Sequence, residues 1–116
     1  MRVEKPWGHE LIWAHTDRYV GKILHIEAGH KLSLQYHEVK DETIYIMSGE
    51  MDLVIVEDGK ERVENMQAGD YRHLPTGTIH RMVAVKTCDV FEVSTPELDD
   101  VVRIEDEYGR EGTSEA

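Results

Sequence analysis

The chain has 116 residues, 40% hydrophobic and 32% charged, and its 24 acidic against 13 basic side chains leave a net charge of -11. That length makes one domain, burying about two-thirds of the surface its unfolded form exposes. The charge would repel nucleic acid, and no apolar run approaches the roughly 20 residues of a membrane span.

The single cysteine, Cys88, excludes an internal disulfide and reads as a small buried strand residue, in agreement with a reducing cytoplasm. The opening MRVEKPWGHE has no apolar signal core, which fits the same cytoplasmic expectation. Charge is unevenly placed. From Glu97 onward there are eight acids and two arginines, a net of -6, leaving -5 for the rest.

In chain order, ELIWAH, YVGKILHIE, KLSLQYH, ETIYIMSG, MDLVIVE, ERVENM, YRHLP, HRMVAV and CDVFEVS read as short strands with a period of two. EAGH, EDGK, QAGD and LPTGT punctuate them as turns, and Asp58-Gly59 is a strong hairpin signal. Val101, Val102, Ile104 and Tyr108 recur at roughly helical spacing, which predicts a turn or two of helix in LDDVVRIEDEYG. Residues 111–116 read as a disordered tail. Nine or ten short strands predict an all-β barrel or sandwich.

Residues 30–49, HKLSLQYHEVKDETIYIMSG, read as a hairpin of neighbouring strands. Lys31, Ser33, Gln35 and His37 share one face, opposite Leu32, Leu34 and Tyr36. A solvated strand shows that alternation too. The next strand differs: Glu42 opens a run apolar on both faces, where an unpaired carboxylate is costly. A divalent metal shared with His37 would satisfy it, and His80, after the Pro75–Gly77 turn, supplies a fourth group beside Gln35. Such oxygen and nitrogen donors suit zinc, manganese, iron, nickel or cobalt.

On these residues the chain resembles the cupin superfamily. The first cupin motif, G-x5-H-x-H-x4-E-x6-G, is matched by Gly29, Gln35 in place of the first histidine, His37, Glu42 and Gly49. The second, G-x5-P-x-G-x2-H-x3-N, is matched by Gly69, Pro75, Gly77 and His80, with Ala84 where asparagine is usual. The resemblance implies a single cupin domain over 1–110, a double-stranded β-helix (jelly-roll-like) barrel, with metal ligands Gln35, His37, Glu42 and His80 and zinc as first choice.

KLSLQYH, KPWGHE, LPTGTIHR and DDVVRIEDEYGR are further similar to the single-cupin, type II form of mannose-6-phosphate isomerase. EVKDETI replaces that group's histidine- and arginine-rich stretch, which changes rim residues and leaves the metal positions. The resemblance implies a sugar-phosphate isomerase working through an enediolate, with Arg110 neutralising its charge. The general base is left open between Lys31, His73 and a metal-bound hydroxide. Lys31 suits either the pocket or the barrel mouth; His73 is either a spare ligand or a hydrogen-bonded structural histidine.

His9, His15, His25 and His30 read as surface or packing residues, Trp7 as the cap of a barrel end, and Arg103 as a surface ion pair. Two alternatives stay open: another cupin enzyme, such as an oxygenase on a small organic substrate, and a non-catalytic sugar-binding cupin. The expected partners are a small sugar phosphate and a second copy of the chain, joined through the RVEKPWGHELIW segment.

Overall fold

In the computed structural model, which describes residues 1–109 and the backbone of 112–114, alternating apolar and polar side chains build ten strands. These are β1 (Arg2–Lys5), β2 (Gly8–His15), β3 (Val20–Ile26), β4 (Leu34–Tyr36), β5 (Glu42–Glu57), β6 (Lys60–Gln67), β7 (Tyr71–Leu74), β8 (Ile79–Ser94), β9 (Val101–Glu105) and β10 (Gly112–Ser114). One antiparallel sheet curls into a barrel with two walls. β5 and β8 run through both, the first half of β5 with the second half of β8 in one and the reverse in the other. The first wall is ordered β1-β2-β3-β8-β5-β7 and the second β10-β9-β4-β8-β5-β6.

Four expectations are corrected. Residues 42–57 and 79–94, read as two strands each, are single strands of 16 residues, and their mutual register shifts where the separate strands were expected to meet. Gly49, at φ +86°, makes the bend in β5. A Cβ there would strike the backbone of β8, coming 2.7 Å from Cys88 Cα, so only glycine lets the strands meet. Residues 30–49 are not a hairpin: β4 pairs with β8 and β9, while β5 pairs with β6, β7 and β8. The chain thus crosses between walls from His37 to Glu42. The segment predicted as helix is the strand β9, where β-branched Val101, Val102 and Ile104 suit pairing with β4 better than helix. Finally, Gly112–Ser114, within the expected tail, pairs with β9.

The Asp58–Gly59 hairpin is as predicted: both residues have positive φ and Glu57 stands opposite Lys60. Ile44, Ile46, Met51, Leu53, Ile55, Met82 and Val90 fill the core, each contributing roughly 1.5–3 kcal/mol by burial. Cys88 is fully buried, and burial with the nearby Asp89 charge pushes its thiol up to about 11. It packs and does not react.

Candidate metal centre

Three of the predicted ligands converge inside the barrel. His37, Glu42 and His80 are all buried, and one donor atom from each lies within 4.8 Å of the others. His37 Nε2 stands 3.0 Å from Glu42 Oε1. His80 Nε2 is 3.3 Å from the same oxygen but off its hydrogen-bonding direction, so this buried nitrogen has no hydrogen-bond partner among the described residues. Gln35 lines the same cavity, and its backbone lies opposite His80 on β8 and Arg103 on β9.

The loops fix both rings. His37 Nδ1 donates to the Asp100 carbonyl, and His80 Nδ1 donates to the Thr78 carbonyl at 2.8 Å. A carbonyl only accepts, so both Nδ1 atoms carry hydrogens and both Nε2 lone pairs face Glu42. Two imidazole lone pairs and a carboxylate repel one another unless a cation or a shared proton lies between them. That donor set fits a divalent metal, with each histidine held by a backbone carbonyl as ligating histidines usually are.

The 37–41 crossing that carries His37 is clamped from several sides. Asp100 accepts from the amides of Glu38, Val39 and Lys40 at 3.1, 2.7 and 2.8 Å. Burial would raise its pKa, but these bonds hold it below the ordinary value. Gly77 N donates to the His37 carbonyl at 2.9 Å, and Thr76 Oγ1 donates to the carbonyls of Val39 and Lys40. The second motif therefore positions the first motif's histidine as well as supplying its own.

Burial pushes the Glu42 carboxyl up, yet His37, His80 and the Lys40 charge hold it well below the carboxylate range. For His80 burial acts downward, and the Glu42 carboxylate outweighs it, leaving the ring above its ordinary value. Beyond the triad runs a buried charged layer. Lys40 Nζ is 3.3 Å from Glu92 and 3.7 Å from Glu42, and Lys22 Nζ is 3.3 Å from Glu10. Arg103, also buried, completes the lining, with Trp7 as part of the apolar wall. Burial and the Glu42 charge raise the Glu92 carboxyl. Burial tends to lower Lys40, but Glu92 and Glu42 hold it above the ordinary lysine value.

The other predicted site residues lie elsewhere. Lys31 lines a separate shallow depression with Arg81, Glu105, Asp106 and Glu107. His73 is exposed and bonded to Asp41 at 2.7 Å, a structural histidine. Arg110 lies outside the described residues. Arg103, read as a surface ion pair, is instead buried in the barrel. Glu10, Lys22, Lys40 and Glu92 were missed. The signal for two of them was phase: Lys22 alternates with Val20, Leu24 and Ile26, and Glu92 with Cys88 and Val90, on the inward side.

A cupin-domain family model matches residues 22–94, more than half of the chain. The chain belongs to the cupin family. Among curated relatives, this cupin is 31% identical over 113 residues to mannose-1-phosphate guanylyltransferase of Escherichia coli, covering 93% of this chain and 23% of that one. It is 29% identical over 114 residues to the xanthan biosynthesis protein XanB of Xanthomonas campestris, covering 94% and 24%. The chain thus spans about a quarter of the length of these relatives. Among solved structures, KdgF from Halomonas sp. superposes with a TM-score of 0.70 at 22% identity, over 83% of this chain and 87% of that one. An S161A mutant of Bacillus subtilis oxalate decarboxylase gives 0.76 at 21% identity, over 90% and 30%. At such identities these structures speak for the fold alone.

Proposed function

We propose that this cupin is a metal-dependent sugar-phosphate isomerase of the mannose-6-phosphate type, interconverting aldose and ketose through an enediolate. The observation that carries the reading is the buried His37–Glu42–His80 convergence facing the cations Lys22, Lys40 and Arg103. Similarity to mannose-1-phosphate guanylyltransferase over 93% of the chain supports a phosphosugar.

His37, Glu42, His80 and Gln35 hold the divalent metal, zinc first among the candidates, and the bound ion supplies Lewis-acid polarisation of a carbonyl. Arg103 offers a fixed fork of donors to the anionic part of the substrate. Glu92, inside the cavity and held by Lys40, carries the proton between adjacent carbons. Trp7, Leu24, Leu32 and Met82 exclude water from the reacting end.

Metal analysis of the purified chain, with an assay interconverting mannose 6-phosphate and fructose 6-phosphate, tests the reading. About one divalent ion per chain is expected, lost in the His37→Ala, His80→Ala double variant. Glu92→Gln should keep the metal and lose turnover, and Arg103→Met should raise KM for the phosphosugar. Metal-replete protein without interconversion refutes the isomerase.

A second reading, an enzyme acting on a small organic acid, is supported by the cavity's size. Its free volume is about 50 Å³, room for a few water-sized groups. Turnover of a two- or three-carbon carboxylate with no turnover of the phosphosugar would favour it.

A further inference from the structure

The 37–41 crossing belongs to no ladder, so its backbone groups must find partners elsewhere. The four amides that follow His37 all donate to side chains of one loop, residues 95–100 between β8 and β9. The Asp100 carboxylate takes those of Glu38, Val39 and Lys40, and Thr95 Oγ1 takes that of Asp41 at 3.0 Å. Thr95 N returns a bond to the Asp41 carbonyl, also at 3.0 Å. Three successive amides aimed at one point form an anion-binding concavity. Here the chain fills it with its own carboxylate.

The triad does not depend on this loop evenly. Glu42 and His80 stand in strands: Glu42 faces Leu74 on β7 and Ser94 on β8, and His80 faces Ile55 on β5 and Gln35 on β4. His37 alone of the three lies outside any strand. Its ring is held through Nδ1 by the Asp100 carbonyl, and the peptides just after it by the Asp100 carboxylate. One residue thus grips the ligand histidine twice. Lys40, the last of the three capped residues, reaches Glu92 and Glu42 from the same crossing.

We infer that Asp100 is a positioning residue of the metal centre. Its carboxylate fixes the crossing, the crossing fixes the His37 ring, and the ring sets how tightly the centre holds a divalent ion. The inference rests on the metal reading of this site and is independent of the reaction proposed for it. Charge matters as well as shape. A carboxylate offers two acceptor oxygens to the three amides and binds them more strongly than a neutral acceptor, whereas an amide side chain offers one oxygen and turns a donor toward them.

Zinc affinity of the intact chain, read by competition with a chromophoric chelator, should fall about ten- to hundredfold in Asp100→Ala, the usual effect of losing an outer partner of a ligating histidine. Asp100→Asn should lose less. Sodium formate should restore affinity to Asp100→Ala by returning a carboxylate to the three amides, and should leave the parent unchanged. Asp70→Ala is the control for general loosening: it removes an acceptor 2.8 Å from the Gln67 amide in the β6–β7 turn, and should lower stability while keeping zinc affinity. Nitrogen-15 NMR of chelator-treated protein gives a readout without metal. The His37 Nδ1 hydrogen should be protected from exchange in the parent and exposed to it in Asp100→Ala. Should Asp100→Ala not fold, Asp100→Asn carries the same two measurements. A parent that binds zinc, with Asp100 variants that bind it as tightly or with a formate-insensitive loss matched by Asp70→Ala, overturns the inference and leaves the metal reading standing. A parent that binds no zinc overturns both.

Discussion

Replacing Lys40 by methionine tests whether the buried charges act as one network. Lys40 Nζ lies 3.3 Å from Glu92 and 3.7 Å from Glu42, and all three residues are buried. At an effective dielectric of about 20 the shorter contact is worth about 5 kcal/mol of attraction, which the desolvation of each ion, several kcal/mol, largely offsets. The intact network therefore adds little net stability, but its removal does not. Lys40→Met leaves two carboxylates without their cation, at a cost of about 3–5 kcal/mol. At about 0.05–0.15 kcal/mol per residue a domain of this size has roughly 6–17 kcal/mol in all, so the loss is a large share.

Glu92→Leu leaves Lys40 beside Glu42 and should cost less. The Lys40→Met, Glu92→Leu double variant should then be more stable than Lys40→Met alone. Urea unfolding of chelator-treated protein, followed by tryptophan fluorescence, measures all four species. Burial and the Glu42 charge already raise Glu92, so without Lys40 it binds a proton, and the deficit should be smaller at about pH 5 than at about pH 8. A Lys40→Met variant within about 1 kcal/mol of the parent, or a double variant equal to the sum of the singles, would refute the network.

Three further outcomes are expected. Gly49→Ala should cost about 3 kcal/mol or more, because positive φ and collision with the β8 backbone add, whereas Gly69→Ala, with positive φ and open space, should cost about 1–2 kcal/mol by the same denaturation assay. In metal-free protein the raised His80 pKa contributes stability fully present below its unfolded value of about 6.5 and lost as pH rises through the folded value; melting temperatures should fall from about pH 6 to about pH 9, and much less in His80→Gln. For an anionic substrate, kcat/KM should rise as salt is added from very low ionic strength, since about 0.1 M salt screens the repulsion of the -11 chain beyond ~10 Å but leaves buried contacts intact; a steady fall would show that local attraction dominates the approach.

The His37–Glu42–His80 convergence was legible because its spacing is one-dimensional. Gly29, His37, Glu42 and Gly49 stand at motif intervals, and Pro75, Gly77 and His80 at theirs, whatever the sheet does between them. The route of the chain was less legible. Ser48-Gly49 carries turn residues and the polar pair Lys86-Thr87 interrupts the apolar alternation, so the period-two pattern breaks at both places. A bend inside a long strand and a turn between two short ones leave the same trace in sequence. Val101, Val102 and Ile104 misled in another way. Three apolar residues among acids fit a helical face as well as a strand, and only the partner strand β4, far away in sequence, decides between them.

The cavity's charge was the least legible feature, for a reason rooted in averaging. A net charge of -11 describes the exterior, where most carboxylates are solvated. The interior is built separately: buried Lys22, Lys40 and Arg103 face buried Glu10, Glu42 and Glu92, three charges of each sign, and half-buried Lys5 adds a fourth cation to the lining before any ion or substrate enters. Each interior charge interrupts an otherwise apolar inward phase or sits in the crossing between walls, where phase has no meaning. A divalent ion on the triad would leave this water-poor space with at least about two uncompensated positive charges, a costly state unless an anion enters with or after it. The same chain can therefore repel anions at long range and require one at its centre.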